Sequence, residues 1–172
     1  PTSPNSYAVS GTLSGTYTVG AAGNYATLTA AVNAYNVSCL IGAVVFSLID
    51  ATYPSETFPI TVNANPNSSS VNTLTIKPAV GVSPTITGSS ATAIIVLNGA
   101  DYVTIDGSNG STANSICPRV TASRDLTISN SNVATTSAVV SFQTSAIANA
   151  ATNNVLMNTN IIGNGSLTTG VA

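Results

Sequence analysis

The sequence has no histidine and no tryptophan, and only three basic and five acidic side chains among 172 residues. Three cations are too few to form the basic surface that binds a phosphate backbone, so nucleic-acid binding is excluded. The only two cysteines lack metal-ligand spacing, so a zinc or copper centre has too few ligands and no cofactor is expected. No continuous apolar run is long enough to cross a bilayer, so we expect no transmembrane segment.

Serine, threonine and asparagine together make up about two-fifths of the chain. Hydrophobic residues account for 44% of it, which is enough for a packed core and argues against a disordered chain. Many of them are β-branched and are separated by turn signals, so the expected class is all-β. Because charge-poor, hydroxyl-rich chains are more typical of proteins outside the cell, we expect a secreted, extracellular or cell-surface location.

One short pattern occurs four times, with starts separated by 29, 23 and 29 residues. In each copy an apolar residue is followed two positions later by another, which is the period of a strand with one buried face. Repeats of this length are typical of a solenoid, so the second apolar residues are predicted to form one buried column on successive turns. The copies are NTLTIKP (72–78), DYVTIDG (101–107), RDLTISN (124–130) and NNVLMNT (153–159), and the column comprises Ile76, Ile105, Ile128 and Met157.

A single segment has the period of a helix. Its four apolar residues recur at i, i+3, i+4 and i+7, and either Asn24 or Thr27 is available as the N-cap. A solenoid exposes the apolar interior of its first turn, so this helix is predicted to cap that end. An ordinary surface helix is the alternative. The apolar stripe comprises Leu28, Ala31, Val32 and Tyr35.

The chain is predicted to have three parts: an extended lead-in strand at 1–23, the capping helix at 24–36, and the turns of a coil at 37–172. Few strand junctions carry the two-residue turns of antiparallel hairpins, which favours parallel coiling. The final residues begin another turn without a helix or a charged edge strand to close it. We therefore expect the coil either to continue in a longer polypeptide or to associate end to end with another chain.

Several segments resemble the start of secreted right-handed parallel β-helix proteins of Bacteroidetes type, within the pectate-lyase-like superfamily. The resemblance implies a cap helix, a strand that ends in a turn at 51–53, and the N-terminal portion of a larger surface or adhesin-like polypeptide. This architecture hosts lyases, hydrolases and non-catalytic stalks alike, so it specifies fold more than activity. The segments are NYATLTAAV, VVFSLIDATYPSETFPITV, NTLTIKP and DYVTIDG.

Alignment of the four copies predicts that the few charges pair across adjacent turns. Lys77 is placed beside Asp106, and Asp101 beside Arg124, and such pairs help to fix strand register. The alternative is that Asp101, Asp106 and Asp125 form the acid/base or calcium cluster of a polysaccharide-acting enzyme. Such an enzyme needs at least two outward carboxylates and a base on consecutive turns, which this register does not supply.

The two cysteines, Cys39 and Cys117, are compatible with an oxidising compartment. A disulfide between them would close a loop of 78 residues and would stabilise the fold by about 4 kcal/mol in the chain-entropy description. The alternative is that both cysteines are buried free thiols. Two cysteines are too few to distinguish a disulfide from free thiols.

Candidate binding residues lie on the outer surface of the predicted turns. Thr75, Thr104 and Thr127 are placed in one outward column, and Tyr102 supplies an aromatic face for a sugar. The expected partner is an extracellular glycan or another cell-surface component. The sequence therefore favours a non-catalytic secreted or cell-surface β-helical scaffold or adhesin-like module, with a polysaccharide lyase or glycoside hydrolase as the alternative.

Overall fold

A computed structural model describes residues 11–110 and 123–164. These residues form eleven strands and one α-helix, and all strand pairing between named strands is parallel. The fold is therefore all-β, as the composition predicts. The elements are β1 (Thr12–Val19), α1 (Leu28–Val37), β2 (Cys39–Leu48), β3 (Ile60–Asn63), β4 (Leu74–Pro78), β5 (Thr85–Gly88), β6 (Ala93–Asn98), β7 (Val103–Asp106), β8 (Leu126–Asn130), β9 (Ala138–Gln143), β10 (Val155–Met157) and β11 (Thr159–Gly163).

The strands belong to three sheets. Sheet A has the order β1-β2-β4-β7-β10, sheet B has the order β5-β8-β11, and sheet C has the order β3-β6-β9. From β4 onward the chain visits A, B and C in strict rotation. Within each sheet the strands lie side by side in sequence order. Each new strand is therefore added at the same edge of its sheet.

Pairing between successive strands keeps apolar residues in line. Phe46 pairs with Ile76, which in turn pairs with Ile105, and all three side chains are buried. Ile86 of sheet B pairs with Ile128 in the same way, and both are buried. Because side chains at paired positions point to the same face of a parallel sheet, each sheet presents one continuous apolar face to a common core.

The third copy of the repeated pattern does not stack on the second, and this prediction is wrong. RDLTISN forms β8 in sheet B, where Ile128 pairs with Ile86 and Ile161. Arg124 consequently does not lie beside Asp101, which precedes a strand of sheet A. Alternation at period two indicates that a strand has a buried face, but it carries no information about which sheet the strand joins.

The register of the fourth copy is also wrong by one residue. Leu156, not Met157, pairs with Ile105, while Met157 pairs with Asp106 and is 41% exposed. Three consecutive apolar residues in this strand offer no alternation, so the sequence does not fix which of them faces inward. Asn153 and Asn158 flank the strand with φ values of 56° and 53° and turn the backbone on either side of it.

The helix α1 begins at Leu28, later than the predicted start of the capping segment at residue 24. Thr27 is the N-cap, and its hydroxyl accepts a hydrogen bond from the Ala30 amide at 3.0 Å. The buried face consists of the four residues of the predicted apolar stripe, and α1 packs mainly against β3 at the edge of sheet C. With ten residues it is far shorter than a membrane span, and the described part of the chain contains no longer apolar helix that would qualify.

Candidate functional site

Asp101, a predicted catalytic candidate, lines a surface cleft that encloses about 380 Å³. One of its carboxylate oxygens accepts hydrogen bonds from the backbone amide of Thr152 at 2.7 Å and from the Thr152 hydroxyl. Among the described residues that line the cleft, Asp101 is the only charged one. The remaining lining residues are Ala64, Asn65, Pro66, Ser68 and Asn149.

Asparagine side chains hold the walls of this cleft. The amide nitrogen of Asn65 donates to the backbone oxygens of Tyr35 and Ser38, each at 3.0 Å, and thereby ties the cleft to the end of α1. The side chain of Asn149 donates to the Ser145 hydroxyl in the loop after β9. Both side-chain amides therefore help to hold the walls of the cleft in place.

A tyrosine hydroxyl is buried near this region. The Tyr35 side chain is fully buried, and its hydroxyl has no hydrogen-bond partner among the described residues. Burial, together with the negative charge of Asp101, raises the pKa of Tyr35 to about 12. Tyr35 therefore stays protonated over the physiological pH range and does not serve as a base.

Asp106 ends β7 and closes the turn that follows. Its Oδ1 accepts hydrogen bonds from the backbone amide and the hydroxyl of Ser108, at 3.0 and 2.9 Å, and from the Asn158 amide at 2.9 Å. Partial burial acts to raise the pKa of Asp106, but these donated bonds and the positive charge of Lys77 outweigh it and lower the pKa. Lys77 therefore acts on Asp106 as the aligned repeats predict. A carboxyl with a lowered pKa is poorly suited to donate a proton at neutral pH.

Asp125 precedes β8 of sheet B and contacts the same segment after β7 as Asp106 does. Its Oδ2 accepts a hydrogen bond from the backbone amide of Asn109 at 3.0 Å. The backbone amide of Asp125 donates to the Gly107 carbonyl at 2.8 Å. The alternative of a calcium cluster is not formed, because the described residues contain no group of three or more acidic or thiol side chains able to hold a metal ion. Asp106 and Asp125 instead both accept backbone amides of the segment that follows β7, whereas Asp101 accepts the backbone amide of Thr152.

Two further carboxylates act in the same way and were not singled out from the sequence. Asp50 accepts the Ala21 amide at 2.6 Å, and Glu56 accepts the amides of Leu28 and Thr29 at 2.6 and 2.7 Å. Every one of the five acidic residues of the sequence thus accepts a backbone N–H. The contacts of Asp50 and Glu56 span 27 to 29 residues, so no local sequence signal identifies them.

The predicted binding residues are distributed over two sheets. Thr75 and Thr104 pair directly in sheet A, as predicted. Thr127 does not join their column, because it lies in sheet B between Thr85 and Asn160. Tyr102 precedes β7 with a φ of 57°, and its backbone oxygen accepts the Leu74 amide. The predicted single column of three threonines is therefore wrong for Thr127.

Cys39 begins β2 and is half-buried. Its predicted partner, Cys117, lies outside the described residues. The disulfide remains a prediction.

Comparison of the chain with known protein-family models, with curated proteins and with solved structures found no match. The assignment of function consequently depends on the residues and geometry described above.

Proposed function

We propose that the chain coils as a right-handed parallel β-helix, a solenoid, and serves as a non-catalytic scaffold or adhesin-like module outside the cell. The rotation of the strands through sheets A, B and C supports the coil, since each round adds one strand to every sheet. Right-handedness is supported by the strong preference for right-handed crossovers between parallel strands. The helix α1 caps the first turn in this proposal.

The use of the carboxylates is the observation that carries the non-catalytic role. All five accept backbone N–H groups at turns, at the helix or between distant segments. A retaining or inverting glycosidase needs two carboxyl groups about 5 to 10 Å apart on either side of the scissile bond. Here the described walls of the cleft contribute one, Asp101. Because all five acidic residues accept backbone N–H groups, this proposal assigns proton transfer to none of them.

The hydroxyl- and amide-rich outer surface supports a role in contact with glycans or other cell-surface components. Uncharged polar side chains form hydrogen bonds with sugar hydroxyls without requiring a charged ligand. The paired Thr75 and Thr104 and the neighbouring Tyr102 lie on or beside sheet A and supply such groups. The low charge and high hydroxyl content likewise support the extracellular location.

The alternative is a polysaccharide-acting lyase or hydrolase that uses the Asp101 cleft. The test is incubation of the purified chain with a panel of acidic and neutral polysaccharides, followed by assays for new reducing ends and for unsaturated products. We expect no turnover above buffer, with or without glycan-array binding. Turnover that is abolished by Asp101→Asn and retained by Asp125→Asn would overturn the non-catalytic assignment and identify the cleft as an active site.

A further inference from the structure

The Asp101 cleft lies where three successive loops connect sheet C to sheet A. These loops are 64–73, 99–102 and 144–154, so the middle one has four residues and its neighbours have ten and eleven. The short loop holds Asp101, and the two longer loops supply the other lining residues. Described loops therefore bound the cleft on both sides, and its shape does not depend on what covers the last strands.

Most hydrogen-bond donors of the lining residues are engaged within the protein. The side chain of Asn65 donates to two backbone carbonyls, and the Ser68 hydroxyl donates to the Asn65 carbonyl at 2.8 Å. The backbone amides of Ala64, Ser68 and Asn149 also donate to carbonyl oxygens. Pro66 has no amide proton. Few donors therefore remain for a ligand.

Acceptors, in contrast, remain open in the cleft. Oδ1 of Asp101 accepts both bonds from Thr152, and Oδ2 has no hydrogen-bond partner among the described residues. The Asn149 side chain donates to Ser145, but its oxygen is without a donor in the same part of the chain. No described basic side chain forms an ion pair with Asp101. The cleft thus offers one negative charge and unpaired acceptors.

This chemistry favours a ligand that carries a primary ammonium group. An ammonium has three donors, no acceptor and a positive charge, and its hydrogen bonds to a carboxylate are about twice as strong as neutral ones. The net charge of the chain, −2, also favours the approach of a cation. The volume of about 380 Å³ lies at the small end of the range for ligand sites.

We propose that the Asp101 cleft binds an amino-sugar unit of a glycan, with the sugar ammonium on Oδ2 of Asp101. Ala64 and Pro66 supply apolar surface for the C–H face of the sugar ring. An N-acetylated sugar fits less well, because its amide carries no positive charge. The inference rests on the proposed contact with glycans and specifies the class of sugar; no bond of the sugar is broken.

Isothermal titration calorimetry of the full chain tests the proposal. The probes are a short β-1,4-linked glucosamine oligomer and the N-acetylglucosamine oligomer of the same length. We expect the glucosamine oligomer to bind about tenfold more tightly, since only it forms a charged hydrogen bond with Asp101. Added salt should weaken its binding and leave that of the N-acetylated oligomer nearly unchanged.

Two substitutions alter the charge of the cleft in opposite directions. Asp101→Asn keeps an oxygen for Thr152 but removes the charge, and should abolish the preference for glucosamine. Asn149→Asp adds a second charge and should strengthen glucosamine binding about two- to fivefold, a gain that misfolding does not mimic. Asp125→Asn is the matched control, because it removes one charge outside the lining of the cleft, and should leave binding unchanged. Circular dichroism would establish that each variant is folded.

Several outcomes would overturn the inference: no binding of the glucosamine oligomer, equal binding of the N-acetylated one, or equal effects of Asp101→Asn and Asp125→Asn. Equally tight binding of a lysine peptide of the same charge would also overturn it, because the cleft would then recognise an ammonium without the sugar. None of these results produces turnover in the polysaccharide assays or removes binding to neutral glycans. The proposed function and this inference therefore fail separately.

Discussion

At the scale of single residues, two buried tyrosines of this protein have opposite hydrogen-bonding environments. The Tyr53 hydroxyl donates to the Val19 carbonyl at 2.7 Å and accepts the Asp50 amide at 3.2 Å. The Tyr35 hydroxyl has no partner among the described residues. Burial raises the pKa of both side chains to about 12, so both are neutral and their difference lies in hydrogen bonding.

Replacement of each tyrosine by phenylalanine should therefore have different effects on stability. Tyr35→Phe removes an unsatisfied polar atom and should leave the free energy of unfolding unchanged or raise it by up to about 1 kcal/mol. Tyr53→Phe leaves the Asp50 amide without this acceptor and removes one of the two hydrogen bonds to the buried Val19 carbonyl, which keeps the Ile49 amide as a donor. It should lower the free energy of unfolding by about 1 to 3 kcal/mol. Urea unfolding of both variants measures this difference. A marked loss of stability in Tyr35→Phe would instead indicate a bound water or ligand at its hydroxyl.

At the scale of elements, α1 is anchored to the strands by a residue that lies far away in sequence. Glu56, in the loop before β3, accepts two amides of the first helical turn, and its Oε2 also accepts the Thr29 hydroxyl at 2.6 Å. A carboxylate at this position satisfies amides that have no partner within the helix and interacts favourably with the helix dipole. The loop and the helix therefore support each other.

Removal of this carboxylate should destabilise the protein. Glu56→Ala should lower the free energy of unfolding by about 1 to 2 kcal/mol, and Glu56→Gln by less, because the amide oxygen still accepts a hydrogen bond but carries no charge. Ser55→Ala changes the exposed neighbour and should remain within about 0.5 kcal/mol of the parent. Denaturant unfolding provides the measurement. Equal effects of Glu56→Ala and Ser55→Ala would show that the contact does not stabilise the helix.

At the scale of the whole molecule, the three sheets and the helix share one core. Buried residues from sheets A, B and C and from α1 belong to a single apolar cluster. Ile105 sits within it, between Ile76 and Leu156 in the column of sheet A. Because all the sheets bury their inner faces together, loss of packing at one position should weaken the entire fold.

Ile105→Ala should accordingly lower the free energy of unfolding by about 2 to 5 kcal/mol through lost transfer energy and a residual cavity. Ile41→Ala is a control with the same chemical change in β2, where the side chain is 62% exposed, and should cost less than about 1 kcal/mol. Chemical unfolding followed by circular dichroism compares the two, and both variants should unfold in one transition. Similar losses from the two substitutions would contradict the burial of Ile105.

The sequence by itself determined the local features of this protein. Alternation of apolar residues identified strands at LTI (74–76) and YVTI (102–105), which coincide with most of β4 and β7, and the change to a helical period identified the stripe of α1. Thr27 was one of two candidate N-caps, with Asn24 as the other. These features depend on side-chain spacing over a few residues, and the local backbone geometry converts that spacing directly into a buried face.

Only the tertiary structure decided which strands become neighbours. A period of two is the same in every sheet, so it did not distinguish β8 of sheet B from a further strand of sheet A. It also left the register of Val155–Met157 open, because three apolar residues in succession satisfy either face. The roles of Asp50 and Glu56 were hidden for a related reason: their partners are 27 to 29 residues away. Such contacts arise from the packing of whole turns, which brings together residues that no local pattern connects.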